Sequence, residues 1–146
     1  MRRHERRVRG FLARLTRGDG ADDLAQETFL KAWRSAGAWR GDGSYEGWLL
    51  RIAWRTFLSS RRGRREEPVA EIEDRPAPGH APEARLDVER ALGRLPARER
   101  AAALLCFGEG YSHAEAAAIM ALPLGTVKSL AARAKAALGQ ALEEHR

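Results

Sequence analysis

In the segment ADDLAQETFLKAWR (21–34), Asp23, Gln26, Glu27, Leu30 and Arg34 recur at i, i+3, i+4, i+7 and i+11. That spacing stacks side chains along one face of a helix. The face is acidic at its N-terminal end and carries a leucine that water disfavours. Its chemistry would be recognition, by ion pairing and apolar contact with a basic partner helix. Ala21, Leu24, Ala25, Phe29, Ala32 and Trp33 form a separate apolar stripe that a folded chain would bury. Taken alone, the acidic face reads better as solvated surface beside a core stripe, and the rest of the chain moves that balance.

Two further sets of residues suit nucleic acid. Arg51, Trp54, Arg55, Leu58 and Arg62 share a helix face, followed by Arg61, Arg64 and Arg65. Guanidiniums hold phosphates, and bases stack on an aromatic ring for roughly 1–3 kcal/mol each, so the set fits a single strand. The alternative is that Trp54 packs inside and the arginines only solubilise. The loop WRGDGSY (39–45) is flanked by Trp39 and Tyr45, which could stack on bases or pin the loop to the core. Near the C-terminus, Thr126, Lys128, Ser129 and Arg133 are placed to reach a major groove, although exposed residues of any terminal helix would look alike.

Other chemistry is disfavoured. His4, His80, His113 and His145 are scattered, so no metal site is expected. Neither Gly-Asp-Gly run (18–20, 41–43) is followed by the Lys-Ser/Thr of a phosphate loop. No nucleophile–base pair or paired-carboxylate site is visible, and no cofactor is implied; the chain reads as a non-enzyme. A nuclease would need acidic metal ligands in a basic groove, whereas the only dense cluster, Asp22, Asp23 and Glu27, lies on one exposed face. The lone Cys106 is expected in the core and cannot close an internal disulfide, which points to a reducing compartment. Without an apolar run near the ~20 residues of a membrane span, or a signal peptide, a cytoplasmic location is expected.

The elements that must position these residues read as helical almost throughout. The sequence pI is about 10.4 and the formal net charge is +6. Residues 1–65 balance at +9, residues 66–90 at −5 and residues 91–146 at +2. That pattern predicts two modules, 1–65 and 85–146, joined by a flexible acidic linker over 66–84 that holds Pro68, Pro76, Pro78 and Pro82. Val8, Phe11, Leu12 and Leu15 predict a first helix ending near Gly18, with Asp19 or Gly20 capping the next. Ser44 is a plausible N-cap for a third helix to about Arg62, burying Tyr45, Trp48, Leu49, Ile52 and Thr56. Beyond the linker, Val88, Leu92 and Leu95 share a face, and Pro96 starts a helix over Ala97–Phe107 closed at Gly108/Gly110. Ser112 caps a short helix to Met120, the run 121–123 breaks it, and a last helix spans about Leu124–Glu143. Short helix, three-residue turn and longer helix make a helix-turn-helix pattern.

Three segments in this order resemble the extracytoplasmic-function sigma factors, bacterial RNA polymerase specificity subunits: DDLAQETFLKAWR (22–34), YEGWLLRIA (45–53) and ALGRLPARERAAALLCFGEGYSHAEAAAIMALPLGTVKS (91–129). The resemblance implies an all-α chain of two helical modules with assigned roles. Asp23, Gln26, Glu27 and Leu30 would dock on core RNA polymerase. Trp39, Arg40, Ser44, Tyr45, Arg51, Trp54, Arg55, Arg61 and Arg62 would open the promoter −10 element and hold its melted strand. Ser112, Thr126, Lys128, Ser129 and Arg133 would read the duplex −35 element. An anti-sigma factor would hold the protein inactive. Four features depart from the family pattern. A further helical stretch is usual before Met1. Arg55 and Ser59 stand where asparagine and aspartate are common, and Leu130 where an arginine is usual. Alanines over 114–122 replace bulkier aliphatics, which predicts a marginally stable second module. The competing reading is a stand-alone helix-turn-helix regulator, which leaves the acidic helix and the aromatic loop unexplained.

Overall fold

The computed structural model describes residues 2–39, 41, 44–62 and 83–144, and among them every regular element is helical. Seven α-helices follow in order: α1 (Arg2–Thr16), α2 (Ala21–Arg34), α3 (Tyr45–Arg62), α4 (Glu83–Arg94), α5 (Ala97–Ala103), α6 (His113–Met120) and α7 (Leu124–Glu144). A 3₁₀ turn (Ala36–Ala38) follows α2, and a π-helical turn (Leu104–Gly108) extends α5. The predicted linker lies outside the described residues apart from Glu83 and Ala84, which already belong to α4.

The first module is a three-helix bundle, and α1 buries the four residues its periodicity predicts. The chain then reverses through Arg17 at φ 59° and Gly18 at φ 87°, and Gly20 at φ 71° occupies the N-cap of α2. These left-handed angles suit glycine, which has no Cβ to clash. Asp22 and Asp23 in the first turn of α2 meet the positive end of its dipole. On α3, Ser44 caps as expected, its Oγ accepting from the Gly47 amide at 2.9 Å.

Two side chains sit on the side opposite to that expected. Trp33 is 79% exposed, while Thr28 takes an inward position on α2 and returns its hydroxyl to the Leu24 carbonyl at 2.7 Å. Trp54 is 1% exposed, in the centre of the bundle and stacked on Phe57 at 5.6 Å. The cause is packing: α3 meets α1 and α2 on its two flanks and α6 of the second module as well. Its buried face is therefore wider than a single stripe. Tyr45, Trp48 and Ile52 are only partly covered.

In the second module, α5 and the π turn carry Ala101–Leu105 into the core, and α7 packs across α4, α5 and α6. Ser112 and Glu115 form a reciprocal capping box at the start of α6. Hydrogen bonds from the Ser112 backbone and side chain hold the Glu115 carboxyl below its usual range. The turn after α6 passes through Ala121 at φ 53°. Cys106 is half-buried rather than fully interior, and burial pushes its thiol up.

The two modules share one hydrophobic core. A Cβ on Gly47 would lie 2.9 Å from the Ser44 hydroxyl, so the glycine leaves room for that cap, while Ile119 of α6 would stand at an ordinary contact distance of 3.9 Å. Arg100 bridges the modules from α5. Its guanidinium donates to the carbonyls of Leu92, Gly93 and Leu95 at 2.9, 3.0 and 2.7 Å, and to that of Leu15 at the end of α1. One cation thus satisfies the orphan carbonyls of two helix ends. Burial, with Arg17 and Arg61 nearby, lowers its pKa to about 10, which leaves it charged at neutral pH.

Candidate nucleic-acid interface

Asp23, Gln26, Glu27, Leu30 and Arg34 are all exposed along α2, with Leu30 at 52%. At 100° per residue, Trp33 falls about 20° from Gln26 and about 60° from Leu30, so it extends this face by a turn. Glu27 pairs with Lys31 at 3.2 Å and Asp22 with Arg9 at 3.8 Å. The result is an acidic ridge flanking two unprotected apolar side chains. A large exposed apolar pair rimmed by charge is the usual signature of a protein–protein contact.

The loop after α2 brings its aromatics together. Trp39 meets Tyr45 edge-on at 5.3 Å, and Tyr45 lies 5.7 Å from Trp48 and 5.5 Å from the His4 ring. The rings pin the loop, and Trp39 keeps an open side, 38% exposed. Arg51, Arg55, Arg61 and Arg62 are exposed on α3, and Arg61 lies over Phe57 at 5.5 Å. Arg55 also lines a cavity of about 240 Å³ with Lys31, Ser35, Ile52 and Thr56, where the Lys31 ammonium donates to the Thr56 hydroxyl at 3.3 Å. Arg40, expected in this set, lies outside the described residues. Trp54 is corrected: a ring closed inside the bundle has no face to offer a base in this conformation. Its indole N–H has no hydrogen-bond partner among the described residues.

The third face is the start of α7. Helices α6 and α7 meet at a bend of 108°, within the ~90–120° range of helix-turn-helix pairs. Val127, Leu130, Ala131 and Ala134 point inward, and Thr126, Lys128, Ser129 and Arg133 point out. Ser112 sits at the N-cap of α6 with its hydroxyl engaged by the Glu115 amide at 3.1 Å, so capping is its role within the chain.

Sequence reasoning missed the groups joining the modules. Glu46, 5% exposed, accepts two 3.0 Å hydrogen bonds from Arg7 Nη1 and one of 2.7 Å from the Tyr111 hydroxyl. His4 Nδ1 stands 3.3 Å from the same carboxylate. Burial pushes this carboxyl up, but bonds from Tyr111, Arg7 and His4 outweigh it and hold it below its usual range. Tyr111 is raised by burial and by its bond to Glu46, so it stays protonated. An acid at a core position of α3 was the available signal.

No single described helix is long and apolar enough to cross a membrane; the bent pair of α6 and α7 passes that test only by length and composition. No group of three metal-ligating side chains is present among the described residues.

Comparison with known proteins agrees with this arrangement. The family model for Sigma-70 region 2 matches residues 1–67, and that for Sigma-70, region 4 matches residues 85–138. The chain is 40% identical to the ECF RNA polymerase sigma factor SigM of Mycobacterium tuberculosis over 146 residues, covering 97% of this chain and 74% of SigM. It is also 40% identical over 157 residues to SigE of Mycolicibacterium smegmatis, covering 99% and 61% respectively. Among solved structures, the sigma factor RpoE of Bartonella quintana, in complex with the anti-sigma factor NepR, superposes with a TM-score of 0.83. That match is at 30% identity and covers 98% of this chain and 94% of RpoE. CnrH, solved with the cytosolic domain of CnrY, gives a TM-score of 0.68 at 26% identity, covering 99% of this chain and 85% of CnrH. With both regions matched in order and the helical architecture shared, the chain belongs to the extracytoplasmic-function sigma factors, which direct RNA polymerase in promoter-specific transcription initiation.

Proposed function

We propose that the three faces divide the work of initiation. Residues 1–65 bind core RNA polymerase and the −10 element, residues 66–84 connect, and residues 85–146 bind the −35 element. Asp23, Gln26, Glu27 and Leu30 dock on the polymerase, and Trp33 adds an apolar anchor beside them. Trp39, Tyr45, Arg40, Arg51, Arg55, Arg61 and Arg62 hold the melted −10 strand. The open side of Trp39 offers a stacking surface, and the cavity beside Arg55 offers room between two cations. Extruding a base costs a few kcal/mol of stacking, which such contacts must offset. Ser44 and Ser112 serve these faces by fixing the starts of α3 and α6. Thr126, Lys128, Ser129 and Arg133 enter the major groove at the −35 element. The protein acts by binding, in the cytoplasm, without catalytic chemistry of its own.

The observation that carries this reading is the acidic, apolar-tipped face of α2, which a stand-alone DNA-binding regulator has no use for. RpoE and CnrH were each solved in complexes, the former with an anti-sigma factor, and we infer an anti-sigma partner for this chain too. Core binding tests the reading. Asp23→Arg with Glu27→Arg should abolish capture of bacterial core polymerase, and Trp33→Ala should weaken it at least tenfold, the effect of about 1.4 kcal/mol. Wild-type protein that binds duplex DNA but captures no core polymerase would favour the stand-alone regulator.

A further inference from the structure

Three arginines from distant parts of the chain converge where three helices end. Arg17 follows the last turn of α1, Arg61 lies in the last turn of α3, and Arg100 of α5 reaches the end of α4. Neutral groups hold all three. Arg100 donates to carbonyls at the ends of α1 and α4. Arg17 lies against Gly93, where an added Cβ would stand 2.8 Å from its Nε and 3.3 Å from its Cζ. Arg61 lies over the Phe57 ring at 5.5 Å. Among the described residues, none of the three forms an ion pair with a carboxylate. They are close enough to feel one another: after burial, the charges of Arg17 and Arg61 are what lowers the Arg100 pKa.

Charge decides what the cluster lacks. A helix C-terminus carries roughly half a negative charge, so three ends offset only about half the charge of three guanidiniums. The surplus of about 1.5 positive charges matches a phosphate monoester, which carries about −1.5 to −2 at neutral pH. A carboxylate or a phosphodiester carries a single negative charge and would leave part of the surplus unmet. Geometry agrees, because guanidinium forks meet phosphate oxygens in pairs.

We propose that Arg17, Arg61 and Arg100 form a binding site for a terminal phosphate, that of a nucleotide or another small phosphate monoester. Arg100 uses its donors on carbonyls and contributes mainly charge, while Arg17 and Arg61 grip the phosphate oxygens. Gly93 is a positioning residue: its missing side chain leaves room for the Arg17 guanidinium. The site needs neither polymerase nor promoter, so it stands independently of the initiation reading.

The test titrates the full chain, without polymerase, with inorganic pyrophosphate in a calorimeter. A single-stranded oligodeoxynucleotide of about ten nucleotides with hydroxyl ends carries only diesters and is the second probe. Arg17→Gln should weaken pyrophosphate binding at least about tenfold, the effect of losing hydrogen bonds to a charged group. Gly93→Ala keeps every charge and favours helix, yet should weaken pyrophosphate in the same direction by pushing Arg17 aside, with the melting temperature not lowered. Arg6→Gln removes the same charge from an exposed position of α1 and should leave the affinity within about twofold. Circular dichroism verifies that helix content is unchanged in each variant. Loss confined to pyrophosphate identifies a free terminal phosphate as the ligand, and loss for both probes keeps the site and adds the nucleic-acid backbone as a source. Loss for the oligonucleotide alone would overturn the terminal-phosphate assignment. Wild-type protein that takes up no pyrophosphate, Arg17→Gln and Gly93→Ala variants that bind it as wild type does, or an equal loss with Arg6→Gln would each overturn the site.

Discussion

At the scale of single residues, the two tryptophans of α2 and α3 exchange the places their sequence context suggests. Trp33 continues an apolar stripe on paper, yet lies about 80° beyond Ala25 on the helical wheel, outside the arc that α1 and α3 cover. Trp54 sits among arginines on paper, yet fills the bundle's interior. Both follow from the same geometry: periodicity marks an apolar face, but the neighbours decide how wide and how far round it extends. Glu46 belongs to the same lesson, since its carboxylate is buried among partners from other elements, bonded to Arg7 and Tyr111 with His4 beside it. Its linkage can be measured. The Glu46 carboxyl is held below its unfolded value of 4.5, so its contribution is present above that value and is lost as pH falls through the folded one. Tyr111 is raised above its usual 10.0, so its protonated bond persists across the neutral range and is lost only as pH climbs past that value. Melting temperature between pH 5 and pH 3 should therefore fall more steeply for wild type than for Glu46→Gln. Equal slopes would mean that the carboxylate gains nothing from its partners.

At the scale of elements, most of the architecture was legible. The bounds of α2 follow from its glycine entry, its acidic first turn and its periodicity. Ser44 and Ser112 cap where their types predict, and 121–123 breaks the chain between α6 and α7. The end of α5 was not legible. Helical periodicity runs on to Phe107, and only the tertiary fit turns Leu104–Gly108 into a wider π turn that carries Leu104 and Leu105 into the core. Nor was the packing of α6 on α3, because an interface between modules leaves the same apolar pattern as a core within one. The small residues of the second module gain a physical use here. Ala116 and Ala117 are buried on α6, but such small side chains bury little surface when the partner is absent. Residues 85–146 alone are therefore expected to melt broadly and below about 60 °C, within the roughly 45–65 °C range of ordinary domains. A sharp transition above that temperature would show that the module needs no help from α3.

At the scale of the whole molecule, the chain combines the proposed docking helix and the two proposed nucleic-acid faces with a polar joint between the modules, where Tyr111 bonds to Glu46. Net positive charge favours DNA, while the acidic face of α2 is the one proposed to select a protein partner. Sequence order made the sigma resemblance readable, because the segments that resemble regions 2 and 4 appear in the family's succession. The polar joint was unreadable, because it depends on contacts between residues as far apart as Glu46 and Tyr111. The central claim is that the α2 face recruits polymerase and the other faces direct it. The most direct measurement is transcription from a pool of genomic fragments by purified bacterial core polymerase, with wild-type protein and with Asp23→Arg plus Glu27→Arg. Discrete transcripts that require the wild-type protein and vanish with the double variant are the predicted result. Transcripts that persist at full yield with the double variant would contradict it.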